Sequence, residues 1–272
     1  MEYSRSTIAS IIIKRLEQER LLLQEQFAAS QHKIGFFYLD NLLPEKLATK
    51  IFEAFPAIEN TVLRKNLKEY KYVAYQMDKY DPLLEEILYA FQDERVVKLV
   101  EGICGFPSIF PDAFLYAGGL SMMAKGNFLN PHLDNSHDKD RKLWRVLNLL
   151  YYVTPDWEDS YGGNLELWPN GLKEKPITIT SKFNRLAVMA THHNSWHSVN
   201  KVFADNTRCC VSNYYFSDTP VRKTDTFHVT SFRGWPKQKI KNITLQLDTT
   251  LRMSVRKIFK KGIGENPHQY KK

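Results

Sequence analysis

The chain has 272 residues, 43% of them hydrophobic, and a formal net charge of +8. That length suits one domain with extensions, and the apolar share is enough for a real core. No run approaches the ~18–20 apolar residues needed to span a bilayer, and the short apolar run 8–13 is followed by Lys14 and Arg15 without a small-residue cleavage site, so a soluble, cytoplasmic protein is expected.

Residues 6–30 carry Ile8, Ile12, Leu16, Leu23 and Phe27 largely at helical spacing. A short strand-like run follows at 34–39, and Pro44 sits near the start of a helix expected over 45–54. A second helical region, 83–103, has Leu84, Ile87, Leu88, Phe91, Val96 and Leu99 as its apolar face. These helices are expected to pack on the outside of a sheet.

From about Ala113 the pattern changes. β-rich segments at 113–123, 145–153, 164–168, 176–180, 185–190, 198–203 and 208–216 alternate with turns such as Pro155-Asp156, Gly162-Gly163 and Asp205-Asn206. Many short strands separated by Gly, Pro and Asn turns point to a β-sandwich or jelly roll. The expected fold is mainly β within an α+β class, as a single domain: a helical N-terminal flank with a first strand (1–110), a jelly-roll core (111–220) and a basic C-terminal extension (221–272), the last with a helix around 247–260.

The extension holds 13 Lys or Arg against 3 Asp or Glu, so the rest of the chain is close to neutral. A basic segment can meet an anionic substrate or carrier, or simply form a solvated helical surface. No nucleic-acid motif accompanies the charge, and no nucleic-acid partner is expected. Cys104, Cys209 and Cys210 form no disulfide framework and read as buried, reduced thiols.

The chemistry centres on 130–138, NPHLDNSHD. His132 and Asp134 are two apart, so on an extended chain their side chains share one face and can take two positions on a metal. A third ligand must come from elsewhere. The segment 185–203 offers His192, His193 and His197, of which His197 opens a strand-like run, a stiff mount. Two His and one Asp on one face leave three octahedral positions open, the arrangement suited to non-haem iron(II) oxygenases. A chelating 2-oxo acid would then need a cation for its far carboxylate. Arg208, opening the strand that returns after 204–207, can supply a bidentate guanidinium, with Ser212 on the same face. If His193 and His197 instead lay on a helix, their i, i+4 spacing could bind zinc, although no HExxH glutamate is present.

Several ordered pieces carry a family resemblance: PHLDNSHD, RVLNLLYYVTPDW followed by GGNLELW, NRLAVMATHHNSWHSV, and RCCVSNYYF. Together the region from about Ile34 to Ser217 resembles the prolyl 4-hydroxylase type of iron(II)/2-oxoglutarate dioxygenase, which has a double-stranded β-helix fold. The resemblance implies His132, Asp134 and His197 as iron ligands, and Arg208 as the anchor of 2-oxoglutarate. It implies dioxygen as second co-substrate, with ascorbate as a supporting reductant. The reaction implied is hydroxylation of an unactivated C–H bond in an amino-acid residue or small molecule, with release of succinate and carbon dioxide. A non-catalytic jelly-roll binding module is the alternative. The family often has a tyrosine nine residues before the first His; here that position is Met123, which leaves Ser212 and Tyr116 as the hydroxyls available to the co-substrate. Substrate contacts are expected from Arg145, His137 and Trp168, each of which also has a plain reading: surface pairing, loop decoration and core packing. The substrate could be a small molecule, carrier-bound or peptidyl.

Overall fold

The computed structural model describes residues 3–259 and 270. Two consecutive helices open the chain, α1 (Arg5–Gln18), capped by the Ser4 side chain, and α2 (Arg20–Ser30). Then come β1 (Phe36–Leu39), α3 (Glu45–Glu53) and a hairpin of β2 (Val62–Lys65) and β3 (Glu69–Ala74). The 83–103 region is two helices, α4 (Pro82–Ala90) and α5 (Glu94–Cys104), each started by an Asp side chain that accepts a backbone N–H. The β-rich part follows as β4 (Phe110–Pro111), β5 (Gly119–Met123), β6 (Phe128–Leu133), β7 (Trp144–Tyr152), β8 (Leu165–Leu167), β9 (Ile177–Ile179), β10 (Arg185–Ala190), β11 (His197–Val199), β12 (Arg208–Ser217) and β13 (Ser231–Phe232). The last helix, α6, runs Lys239–Ile258.

All the strand pairings are antiparallel, and the sheet runs β1-β10-β7-β12-β5-β3-β6-β11-β8-β9, with β2, β4 and β13 as side branches. It curls on itself as a jelly-roll-like half-barrel, and alternation along its central strands separates two faces. On one face Leu147, Leu149, Tyr151, Val211 and Tyr215 are buried with Ile8, Ile12, Leu16, Leu23, Leu84, Ile87 and Val100 in one apolar cluster. The helices α1, α2, α4 and α5 therefore cover the outside of β7, β10 and β12. On the other face Asn148, Leu150, Cys210, Ser212 and Tyr214 look into a cavity.

Several features differ from the sequence-based expectation. The expected 113–123 strand is regular only over Gly119–Met123, and β6, which carries His132, lies outside the expected set of strands. The 62–74 hairpin is new: its strands have no strict apolar alternation and β2 is mostly exposed, so periodicity gives no signal there. The 198–203 run is regular only to Val199, where a register shift against β6 ends the strand; Asn200 instead accepts the Asn164 N–H. The C-terminal helix starts at Lys239 rather than about 247 and ends at Ile258; the two residues beyond 258 in the expected span include 260, which lies outside the described residues. Residues Cys104, Cys209 and Cys210 are buried free thiols, as expected. Among the described residues no helix is long and apolar enough to cross a membrane.

α6 is not a simple solvated surface. Lys68 pairs with its Asp248 at 2.8 Å, Lys241 donates to Asn130 Oδ1 at 3.1 Å, and Arg252 donates to the Thr230 carbonyl at 2.7 Å. These contacts lay Leu251, Arg252, Val255 and Arg256 along the cavity mouth. The adjoining face, with Ile240, Ile243, Leu247 and Ile258, stays exposed.

Candidate metal centre

The strands β6 and β11 are neighbours, and in their antiparallel register His197 lies directly opposite His132. Their rings are 4.0 Å apart between centroids. Asp134 follows immediately after β6 and turns its carboxylate between them. Its Oδ1 is 3.7 Å from His132 Nε2, and its Oδ2 is 3.7 Å from His197 Nε2. All three residues are buried, with ligating atoms within 4.8 Å of one another.

The backbone settles the tautomers. His132 Nδ1 donates to the Asn130 carbonyl and His197 Nδ1 to the Ser195 carbonyl, each at 2.9 Å. Both Nε2 lone pairs are thereby left facing the carboxylate, the outer support that metal-binding histidines normally have. Asp134 Oδ2 is buried and without a hydrogen-bond partner. Burial, together with the nearby His197, pushes the His132 pKa down to about 3, so its ring is neutral and ready to ligate at neutral pH. Burial works to raise the Asp134 pKa, but His197, Arg145 and His132 outweigh it and hold the carboxyl below its ordinary value. A neutral-His, ionised-Asp set with an unsatisfied oxygen is what a divalent metal of the iron type would satisfy.

Deeper along the same cavity is Arg208, only 2% exposed. It sits opposite Met123 in the β12–β5 register, donates from Nε to Ser181 Oγ at 2.9 Å, and lies 4.7 Å over the Tyr152 ring. Gly163 makes room for it: a Cβ there, at φ +65°, would come within 3.1 Å of Arg208 Cδ. Ser181 and Tyr152 as neighbours of Arg208 were not foreseen; no local pattern links positions 27 and 56 residues away. Ser212 lines the cavity two alternations along the strand. Tyr116 also lines it, but beside Asn135 Nδ2 (3.3 Å) and Arg145, so the hydroxyl in direct contact with Arg208 is that of Ser181.

The remaining expected residues divide. Arg145 and His137 line the cavity; both are nearly fully buried, which removes the surface-pairing reading of Arg145. Trp168 does not line it: its indole is buried and donates to Ser198 Oγ at 2.8 Å behind the distal histidine's strand, the core-packing reading. His192 accepts from Asn194 N–H and donates to the Ile34 carbonyl, so neither nitrogen is available to a metal. His193 bonds Asp225, in a turn rather than on a helix. That leaves no i, i+4 histidine pair for a zinc hydrolase.

The cavity, about 650 Å³, is of ordinary size for a small-molecule site. It is large enough for a chelating co-substrate and part of a second ligand.

Residues 118–216 match the model of the 2OG-Fe(II) oxygenase superfamily. They belong to that superfamily, whose members use iron(II), 2-oxoglutarate and dioxygen, and they include all of the buried His-Asp-His group and Arg208. Among solved structures, a prolyl 4-hydroxylase from Phytophthora capsici is similar at 14% identity over 93% of this chain and 80% of that one, with a TM-score of 0.56. A prolyl hydroxylase from Trichoplax adhaerens, in complex with a hypoxia inducible factor oxygen degradation domain peptide fragment, is 18% identical over 74% and 92%, with a TM-score of 0.51. HygX from Streptomyces hygroscopicus, with nickel, 2-oxoglutarate and hygromycin B bound, is 12% identical over 71% and 86%, with a TM-score of 0.50. At these identities the likeness shows the shared fold. No curated protein matches the chain.

Proposed function

We propose that this protein is an iron(II)- and 2-oxoglutarate-dependent oxygenase that hydroxylates a C–H bond of its substrate and releases succinate and carbon dioxide. The observation that carries this is the buried facing of two backbone-oriented Nε2 atoms and an unsatisfied carboxylate, with Arg208 in the same cavity. His132, Asp134 and His197 would hold the metal. The bound iron and 2-oxoglutarate would supply the oxidising chemistry.

The chain's own residues do the positioning. The Asn130 and Ser195 carbonyls fix the two imidazoles. Arg208, held by Ser181, presents its guanidinium for the far carboxylate of 2-oxoglutarate, with Ser212 as a further donor on the same wall. Leu129, Leu150, Leu165 and Val199 line the cavity with apolar side chains and keep bulk water from the reacting centre. α6 narrows the mouth from above. The fold is shared by a hydroxylase seen with a peptide and by HygX seen with hygromycin B, so peptidyl and small-molecule substrates both suit the architecture.

The test is spectroscopic and chemical. Anaerobic addition of iron(II) and 2-oxoglutarate should give a weak visible charge-transfer band, and air should then release succinate. Asp134→Ala should remove both. Full iron-dependent succinate formation by that variant would reject the ligand assignment; neither band nor succinate in the wild type would favour a binding module.

A further inference from the structure

Arg145 lies where the alternation of β7 breaks. Leu150 and Asn148 point into the cavity, opposite Ser212 and Tyr214, and simple alternation would bring Val146 next. Instead the register shifts: Leu147 faces Tyr215, but Arg145 faces Phe216, and Val146 is the extra residue. Val146 joins the apolar cluster under the helices, and Arg145 turns inward. Re-aiming one side chain is what a β-bulge beside a site accomplishes.

The inward guanidinium is enclosed by aromatic rings, 4.4 Å over Tyr214 and about 6 Å from Tyr116 and Phe216. The whole residue is 6% exposed. Among the described residues the carboxylate in ion-pair range is Asp134, 3.6 Å from Nη1, and the Nε has no hydrogen-bond partner. Two further buried polar atoms on the same cavity are without partners, His137 Nε2 and Asn148 Oδ1. His137 Nδ1 donates to the Asp138 carbonyl at 2.5 Å, so its Nε2 is an acceptor.

The charges do not balance without another anion. A divalent ion is offset by Asp134 and one carboxylate of 2-oxoglutarate, and Arg208 by the other carboxylate. Arg145 is then a buried cation without a paired carboxylate, a costly state, since its remaining acidic neighbour, Asp112, lies beyond ion-pair distance and is engaged by three backbone N–H groups. The rest of the lining adds no anion for Arg145: Glu69 is already shared between Arg64 and Lys71, and Arg252 is paired with Asp248, which does not line the cavity. We propose, resting on the oxygenase reading above, that the substrate is an anion that seats a carboxylate on Arg145, beside the metal ligands. The free edge formed by Nε and the guanidinium fork is flat and walled by rings, which suits a planar carboxylate better than a tetrahedral phosphate. His137 Nε2 and Asn148 Oδ1 accept from an N–H or O–H of the same molecule. Arg256, reaching from α6, adds positive potential at the mouth. The C–H bond attacked is then close to the carboxylate.

Calorimetric titration of full-length protein loaded with nickel(II) and saturating 2-oxoglutarate tests this, with benzoate, benzamide and phenyl phosphate as probes. Benzoate should bind at least 10-fold more tightly than the isosteric benzamide, and more tightly than phenyl phosphate. Arg145→Gln should abolish the preference, while the iron–2-oxoglutarate band persists and circular dichroism is unchanged. Arg256→Gln, at a partly exposed position that folding tolerates, should weaken benzoate several-fold and benzamide not at all. Equal binding of benzoate and benzamide, no binding of benzoate, preference for phenyl phosphate, or an Arg145→Gln variant that keeps the preference would each overturn the proposal. So would loss of the band in Arg145→Gln with fold intact, which would make Arg145 a support for Asp134 or for 2-oxoglutarate. Absence of the band in the wild type would instead reject the metal reading itself.

Discussion

Replacing Arg208 by Met should make the metal-free protein more stable and blind to 2-oxoglutarate. Arg208 is 2% exposed, and among the described residues no carboxylate lies within ion-pair range of it. Its compensation is a hydrogen bond to Ser181, a long contact to Met123 Sδ at 3.5 Å and the Tyr152 ring. A buried ion costs several kcal/mol in effective desolvation. One charge-assisted hydrogen bond returns about 1.5–3 kcal/mol and a desolvated cation–π contact about 2 kcal/mol, which leaves a deficit on the order of 1–3 kcal/mol. Met keeps the apolar stem and removes the charge, and Ser181 keeps its bond to the Gly163 carbonyl. At roughly 2–4 °C per kcal/mol for a domain of this size, the melting temperature should rise by about 2–12 °C. Saturating 2-oxoglutarate at about 100 times its Kd should add about 2.7 kcal/mol of stability to the nickel-loaded wild type and nothing to the variant. Thermal melts with and without 2-oxoglutarate measure both. An undiminished 2-oxoglutarate shift in Arg208→Met would refute the anchor, and a lower melting temperature without ligand would refute the charge argument.

Three other outcomes follow from the same geometry. His197→Ala should weaken metal binding by more than the roughly 10–100-fold that losing an outer partner costs, measured by metal titration; an unchanged metal affinity would remove His197 from the site. Gly163→Ala places a Cβ at φ +65° within 3.0 Å of Val202 and 3.1 Å of Arg208. It should cost more than about 1 kcal/mol of stability and raise the 2-oxoglutarate concentration needed for succinate release; wild-type values for both would dismiss the close approach. Burial pushes the His192 pKa down to about 4, whereas in the unfolded chain it titrates near the ordinary 6.5. The folded form resists protonation that the unfolded form accepts, so this contribution is complete above about pH 6.5 and is lost as pH falls toward 4. At pH 5 the loss is about 2 kcal/mol. Denaturant midpoints at pH 7.5 and 5 should show it, and His192→Gln should flatten the dependence; an equal slope in the variant would contradict it.

The catalytic pieces were legible because each is local. His132 and Asp134 share a face through a period of two, and His197 and Arg208 open strands, so neighbouring residues alone orient them. The apolar face of 83–103 and the paired turns likewise announce the helical flank and the jelly roll. Three things depend on which segments meet. Arg145 faces the cavity because a register shift against β12 inserts Val146, and alternation alone would send it outward. Trp168 and Ser198 meet across β8 and β11, which makes Trp168 core packing rather than the expected substrate contact. α6 becomes the roof of the cavity through Lys68, Asn130 and Thr230, contacts on β6 and the segments beside it that no charge count over 221–272 contains. The sequence by itself determined the candidate metal ligands, the candidate cation that answers them and the class of fold around them, because backbone periodicity and residue chemistry act within a few positions. Only the tertiary structure decided which further charges share the cavity, because register and docking are settled by burial between segments far apart in the chain.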